Sequence, residues 1–155
     1  MRIRLAATAV LLLLASAALA NSYTPRANTR REIKKYVRAA AKHIAQHGPS
    51  CSEFASRDWR SGDYYIFVLG PDKRTLCHPD SSMIGRPASQ IVDANGKHVG
   101  DMIAAAAMRM RGGWVDYVWP RPGTSKAVPK STYAEHVKSP DGDLYIVGSG
   151  GYELK

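Results

Sequence analysis

The chain has 155 residues, enough for one domain, with 22 Lys and Arg against 13 Asp and Glu and a formal charge of +9. Such a balance invites nucleic acid as a partner, but the first twenty residues argue for export and against that class. Acidic small molecules or an anionic envelope surface are the counterparts that remain.

Met1–Arg2–Ile3–Arg4 places two positive charges ahead of an apolar run from Leu5 to Ala17, and Ala18–Leu19–Ala20 ends it with a small-x-small triplet. A basic start, a short apolar core and an A-x-A site predict a secretory signal peptide over 1–20, cleaved after Ala20. The run is shorter than the roughly 20 residues a membrane-spanning helix needs. No Cys stands at the cleavage site, so a lipid anchor is not indicated. The mature chain would begin at Asn21. Two of the 22 basic residues leave with the signal and none of the 13 acidic ones, for a mature charge of +7. No later segment is apolar enough to cross a membrane, and a periplasmic or secreted location is expected.

Residues 21–28 form a polar leader, expected to be loose, and 29–155 a single domain. Thr29–Arg30–Arg31–Glu32 has the spacing of a capping box at a helix start. Ile33, Tyr36, Val37, Ala40, Ala41 and Ile44 recur at helical spacing, opposite a basic face of Arg30, Lys34, Lys35, Arg38 and Lys42 that is expected to be solvated. Gly48–Pro49 stops the helix. Cys51 and Cys77 predict one disulfide, as two cysteines in an exported chain usually pair. They lack the CxxC spacing of a metal site.

Tyr64–Leu69 and Arg74–His78 predict two strands of a hairpin around the turn Gly70–Pro71–Asp72–Lys73. A loop over Asp80–Pro87 and the turn Asp93–Ala94–Asn95–Gly96 lead to a short helix over Val99–Met110. Trp114–Trp119 predicts a strand with Trp114, Asp116 and Val118 on one side and Val115, Tyr117 and Trp119 on the other. Strands over Lys130–Lys138 and Leu144–Gly148 complete an α+β sandwich with one helix layer. Glycines 148, 150 and 151 predict a bent edge or a close backbone approach.

In order, Tyr65–Leu69, His78–Pro79, Asp93–Ala94–Asn95–Gly96, Gly113–Pro120, Pro129–Lys130–Ser131–Thr132–Tyr133 and Gly151–Tyr152 resemble the single Cache domain of bacterial receptors. The resemblance covers about Tyr64 to Tyr152, and the helix over Thr29–His47 matches the long helix that precedes such domains. It implies a PAS-like fold whose long N-terminal helix packs on a central antiparallel sheet, with a ligand on the sheet's concave face. It also implies small carboxylates or amino acids as ligands. Such receptors continue into a membrane helix and a signalling domain, whereas this chain stops at Lys155 and is expected to be a stand-alone module.

The residues support a binding site on their own terms. A small-anion pocket needs a few fixed donors in a largely apolar wall. Tyr117 and Trp119 share a strand face, Lys130 supplies a point charge, and His78 can donate from a ring nitrogen. Tyr133 is the fifth candidate. Residues three apart on a strand face opposite sides, so Lys130 and Tyr133 both enter a pocket only if one precedes the strand or sits at a bulge. Trp114 reads as sheet packing, Asp116 as a solvent-facing carboxylate, and Met102, Met108 and Met110 as core filling. Asp93 with Asn95–Gly96 lacks the downstream Glu of a calcium loop and reads as an Asx turn.

Catalysis finds little support. His43 and His47 stand four apart without a third metal ligand or an HExxH motif, and Ser149 lies outside a G-x-S-x-G elbow. No enzyme, cofactor or metal is expected. The reading is a periplasmic domain that captures a small organic carboxylate. Its rival is an interaction protein that docks on a membrane receptor or transporter and keeps a vestigial pocket.

Overall fold

The structure is a computed structural model that describes residues 22–154. The signal peptide expected over 1–20 lies outside the described residues. The chain forms α1 (Arg30–His47), α2 (Cys51–Phe54), β1 (Phe67–Leu69), β2 (Thr75–Cys77), α3 (Val99–Ala107), β3 (Gly113–Pro120), β4 (Ala127–Lys138) and β5 (Leu144–Tyr152). The five strands make one antiparallel sheet in the order β2-β1-β5-β4-β3.

The predicted apolar face of α1 is the buried one. Ile33, Tyr36, Val37, Ala40, Ala41 and Ile44 pack with Val68, Tyr133 and Val147 against one side of the sheet. Thr29 caps the helix by accepting the Glu32 amide, and Gly48, at φ 78°, closes it by donating to the Ile44 carbonyl. The Glu32 carboxylate takes the Lys35 ammonium at 3.0 Å, and the Thr29 amide donates to the Ala27 carbonyl instead, so the capping box is half formed. Arg31, Lys35, Arg38 and Lys42 are exposed. Arg30 and Lys34 instead lie over the rings of Trp114 and Tyr133.

Four expectations need correction. The leader is docked, not loose: Tyr23 stacks on Trp59 at 4.1 Å, and the Asn28 side chain donates to the Tyr152 carbonyl. An aromatic face and a buried acceptor fix a segment whose polarity suggested freedom. Helix covers both sides of the sheet, because α3 packs Val99, Ile103, Ala106 and Ala107 onto the face away from α1. Met102, Met108 and Met110 do not fill the core; α3 ends at Ala107, and Met110 is 92% exposed. Finally, β5 is a central strand that runs on to Tyr152. Its glycines therefore mark close approach: a Cβ on Gly148 would run into the Phe67 ring.

Between β2 and α3 the expected loop holds two 3₁₀ turns, Ser81–Met83 and Ala88–Gln90. Asp93 makes the expected Asx turn by accepting the Asn95 and Lys97 amides. Its second oxygen takes the Val118 amide, which ties this segment to β3. Cys51 and Cys77 form a disulfide that joins α2 to the end of β2, with Cα atoms 5.2 Å apart. No described helix is long and apolar enough to cross a membrane.

Candidate ligand-binding site

Strand alternation sorts the side chains. In β3, Val115 and Tyr117 turn toward α3 and Trp119 follows them, while Trp114 packs on the α1 side. The register sets Tyr117 opposite Lys130 and Lys130 opposite Tyr152. Residues paired across strands share a face, so these three side chains stand in one row. Thr132 stands on the same face one row along, and its hydroxyl is 2.9 Å from the Tyr117 phenol. Gly150, across from Thr132, leaves room for the Lys130 side chain.

Tyr65, Phe67 and Leu69 bring a second apolar wall. Tyr65 precedes the regular part of β1 and is held there by the Ser149 hydroxyl, which donates to its carbonyl. Together with Ile91, Val99, Ile103, Tyr117 and Trp119 they line an inner chamber of about 40 Å³. A wider vestibule of about 400 Å³ lies beside it, walled by Arg60, Asp80, Arg121 and the Pro120–Thr124 loop. Tyr65, His78 and Trp119 line both spaces and form the partition between them.

Polar groups concentrate at that partition. Lys130 is 2% exposed, and its ammonium donates to the Tyr65 phenol oxygen at 2.6 Å. It also lies 4.4 Å and 4.8 Å from the ring centroids of Tyr65 and Tyr152. It makes no ion pair among the described residues, and burial pulls its pKa down to about 7. With its oxygen taken by Lys130, the Tyr65 O–H can turn to the neighbouring Tyr152 phenol or to a ligand. Burial holds the Tyr65 and Tyr117 phenols protonated far above neutrality.

His78 stands edge-on to Tyr65, ring centroids 5.2 Å apart. Its Nδ1 lies 3.0 Å from the Asp80 amide nitrogen and 3.3 Å from the Asp80 carbonyl; with the shorter contact as the hydrogen bond, Nδ1 accepts and Nε2 carries the ring proton. Burial first, and the Lys130 charge second, lower its pKa to about 4. The imidazole is neutral at physiological pH. The partition thus offers neutral donors backed by one buried cation, an arrangement suited to an anion with a small apolar part.

Of the five predicted site residues, the structure gathers His78, Tyr117 and Trp119 at the cavity, with Lys130 behind Tyr65. It does not bring Tyr133. That side chain points to the α1 face, packs in the helix core and donates to the Arg111 carbonyl. No bulge interrupts β4 between Lys130 and Tyr133, so the parity of the strand separates them. Tyr65, Thr132 and Tyr152 complete this face of the site and did not stand out as site residues in the sequence. Tyr65 was legible as the first of three alternating residues that end in Phe67 and Leu69.

The methyl-accepting chemotaxis protein McpP of Pseudomonas putida is 36% identical over 90 residues, which are 57% of this chain and 16% of that protein. The chain therefore spans about a sixth of this curated relative's length. Among solved structures, a Cache chemosensory domain described for carboxylic acid recognition is 29% identical, with a TM-score of 0.52 over 76% of this chain and 71% of that one. A periplasmic sensor domain of a chemotaxis protein, also 29% identical, aligns with a TM-score of 0.53 over 79% and 87%. The fold recurs at 24% identity, with a TM-score of 0.52 over 77% and 72%, in a methyl-accepting chemotaxis protein of Vibrio parahaemolyticus. The sequence profile of the single Cache domain 2 family matches residues 6–153, and the chain belongs to that family of sensor domains.

Proposed function

We propose that the domain captures a small organic carboxylate in the periplasm, after loss of residues 1–20, and binds it without chemical turnover. The observation that carries this reading is the buried ammonium of Lys130, which has a phenol for a partner and no carboxylate within ion-pair distance among the described residues. An unpaired buried cation is costly, and an incoming anion would remove that cost. The Tyr65 hydroxyl, backed by Lys130, and the His78 Nε2–H would hold the carboxylate. Tyr117 and Trp119 would pack its carbon atoms. The likeness to a solved Cache domain described for carboxylic acid recognition supports the ligand class.

A thermal-shift screen of the purified protein against short carboxylates and amino acids tests the reading. Ligands of the right class raise Tm with concentration, because they bind the folded state alone. A folded protein stabilised by none of them would reject it.

A further inference from the structure

The vestibule carries a second cationic centre that a monocarboxylate would leave unused. Its charged lining residues are Arg60, Asp80 and Arg121, and two of these are already engaged. Arg121 is paired with Asp63 and Glu153 and lies over the Tyr152 ring. Asp80 accepts the Ser82 amide as the cap of a 3₁₀ turn. Arg60 makes no ion pair and no side-chain hydrogen bond among the described residues, and it is exposed at the rim. It also lines the small cavity behind His78, beside the Cys51–Cys77 bridge.

The place of His78 relates the two cations. It shares a lining with the inner chamber and with the vestibule, and the positive charges of Lys130 and Arg60 both act on its ring. His78 and Tyr65 thus stand on the wall that the vestibule shares with the inner chamber, with Lys130 behind Tyr65 and Arg60 on the vestibule's own lining. The 400 Å³ vestibule has room for a second functional group, whereas the 40 Å³ chamber holds little beyond a short alkyl or hydroxyalkyl fragment.

We propose that the site takes a dianion, a short dicarboxylate or hydroxydicarboxylate, with one carboxylate at Tyr65 and His78 over Lys130 and the other at Arg60. This rests on the carboxylate reading above and narrows it. Arg60 becomes the residue that sets specificity, since a guanidinium binds a carboxylate through two parallel hydrogen bonds.

Isothermal titration calorimetry of the exported chain at pH 6.5 and constant ionic strength tests the proposal. Acetate and propionate are compared with malonate, succinate and malate, for the wild type and for Arg60→Gln. Arg60 is a rim residue outside the core, so the variant is expected to fold. The best dicarboxylate should bind about tenfold or more tighter than the best monocarboxylate, a gap of about 1.4 kcal/mol. Arg60→Gln should erase that gap while leaving monocarboxylate affinity within about twofold. Equal binding of both classes, or equal losses for both in Arg60→Gln, would overturn the dianion proposal and leave the carboxylate reading standing. Binding of no acid at all would overturn both.

Discussion

Lys130 and Tyr65 meet at 2.6 Å although 65 positions separate them in the chain. Their contact makes each responsible for the other's burial, yet the two respond oppositely to removal. Lys130→Met takes away a buried charge and leaves a flexible apolar side chain of similar length. At pH 6 it should raise Tm, by an amount equivalent to about 1 kcal/mol or more, and abolish the carboxylate-induced shift. Tyr65→Phe leaves the ammonium without its acceptor. It should lower stability by about 1–3 kcal/mol and also lose the ligand response. Thermal melts of the two variants with and without ligand check both signs.

The same ammonium predicts how pH acts. Burial lowers the Lys130 pKa to about 7, below the usual lysine value. Between about pH 7 and the ordinary lysine range the unfolded chain binds this proton and the folded chain does not, so stability rises with pH across that window. The destabilisation is fully present below pH 7. The groups around Lys130 do not confuse the reading: His78 sits at about 4, Tyr152 at about 12, and Tyr65 and Tyr117 are pushed well up by burial. An anion needs the charged form. Affinity for a carboxylate should hold below pH 7 and fall roughly tenfold per unit above it, with about one proton taken up on binding at pH 8.5. Calorimetry in buffers of different ionisation enthalpy measures that uptake.

These signs could not be set from sequence, although many of the parts were visible there. The buried face of α1 was legible because six apolar residues keep a 3.6-residue period. Strand parity placed Tyr117 with Trp119 and already set Lys130 against Tyr133. What joins Tyr117 to Lys130 is the β3–β4 register, fixed by the turn over residues 121–126, and no pattern in the sequence states it. Tyr65 was visible as a strand residue, but its place beside Lys130 was not, because a hydroxyl 84 positions away holds it there. The methionines misled because Met102 stands on the exposed side of α3 and the apolar spacing of Met108 and Met110 was counted past its end. Arg60 gave no signal at all, since a lone arginine in a loop has a meaning only once a cavity surrounds it.

Gly150 gives a test of the row that needs no ligand chemistry. A Cβ at this position would lie 2.5 Å from the Thr132 hydroxyl, 2.6 Å from the Ser131 carbonyl and 2.9 Å from the Lys130 Cε. Two of these neighbours are side chains on the site face and the third is strand backbone, so the sheet cannot absorb the methyl without moving Lys130. Gly150→Ala should cost about 1–3 kcal/mol in urea unfolding and weaken carboxylate binding together. A similar methyl at Gly123, which meets nothing within 4 Å in the vestibule loop, serves as the control. Its φ of 77° makes some strain expected there, but the row itself is untouched, and ligand affinity should hold.

The disulfide links stability to the site through one peptide bond. Cys77 is buried at the end of β2, and His78, the next residue, forms part of the partition. Cys51 anchors this corner to α2, whose Phe54 packs edge-on against Trp59. Replacing both cysteines by serine, or reducing the bridge with dithiothreitol, reopens a 26-residue separation and should cost about 3 kcal/mol in the chain-entropy account. The global fold should persist, because the α1–sheet core, which Cys77 joins at its edge, is held mainly by the apolar residues of α1, β1, β4 and β5. His78, however, would lose the tether that fixes its backbone beside Tyr65. Carboxylate affinity should therefore fall in the reduced protein even under conditions where circular dichroism shows it fully folded. Equal affinity in oxidised and reduced forms would show that the Asp80 amide and the Tyr65 ring suffice to place the imidazole.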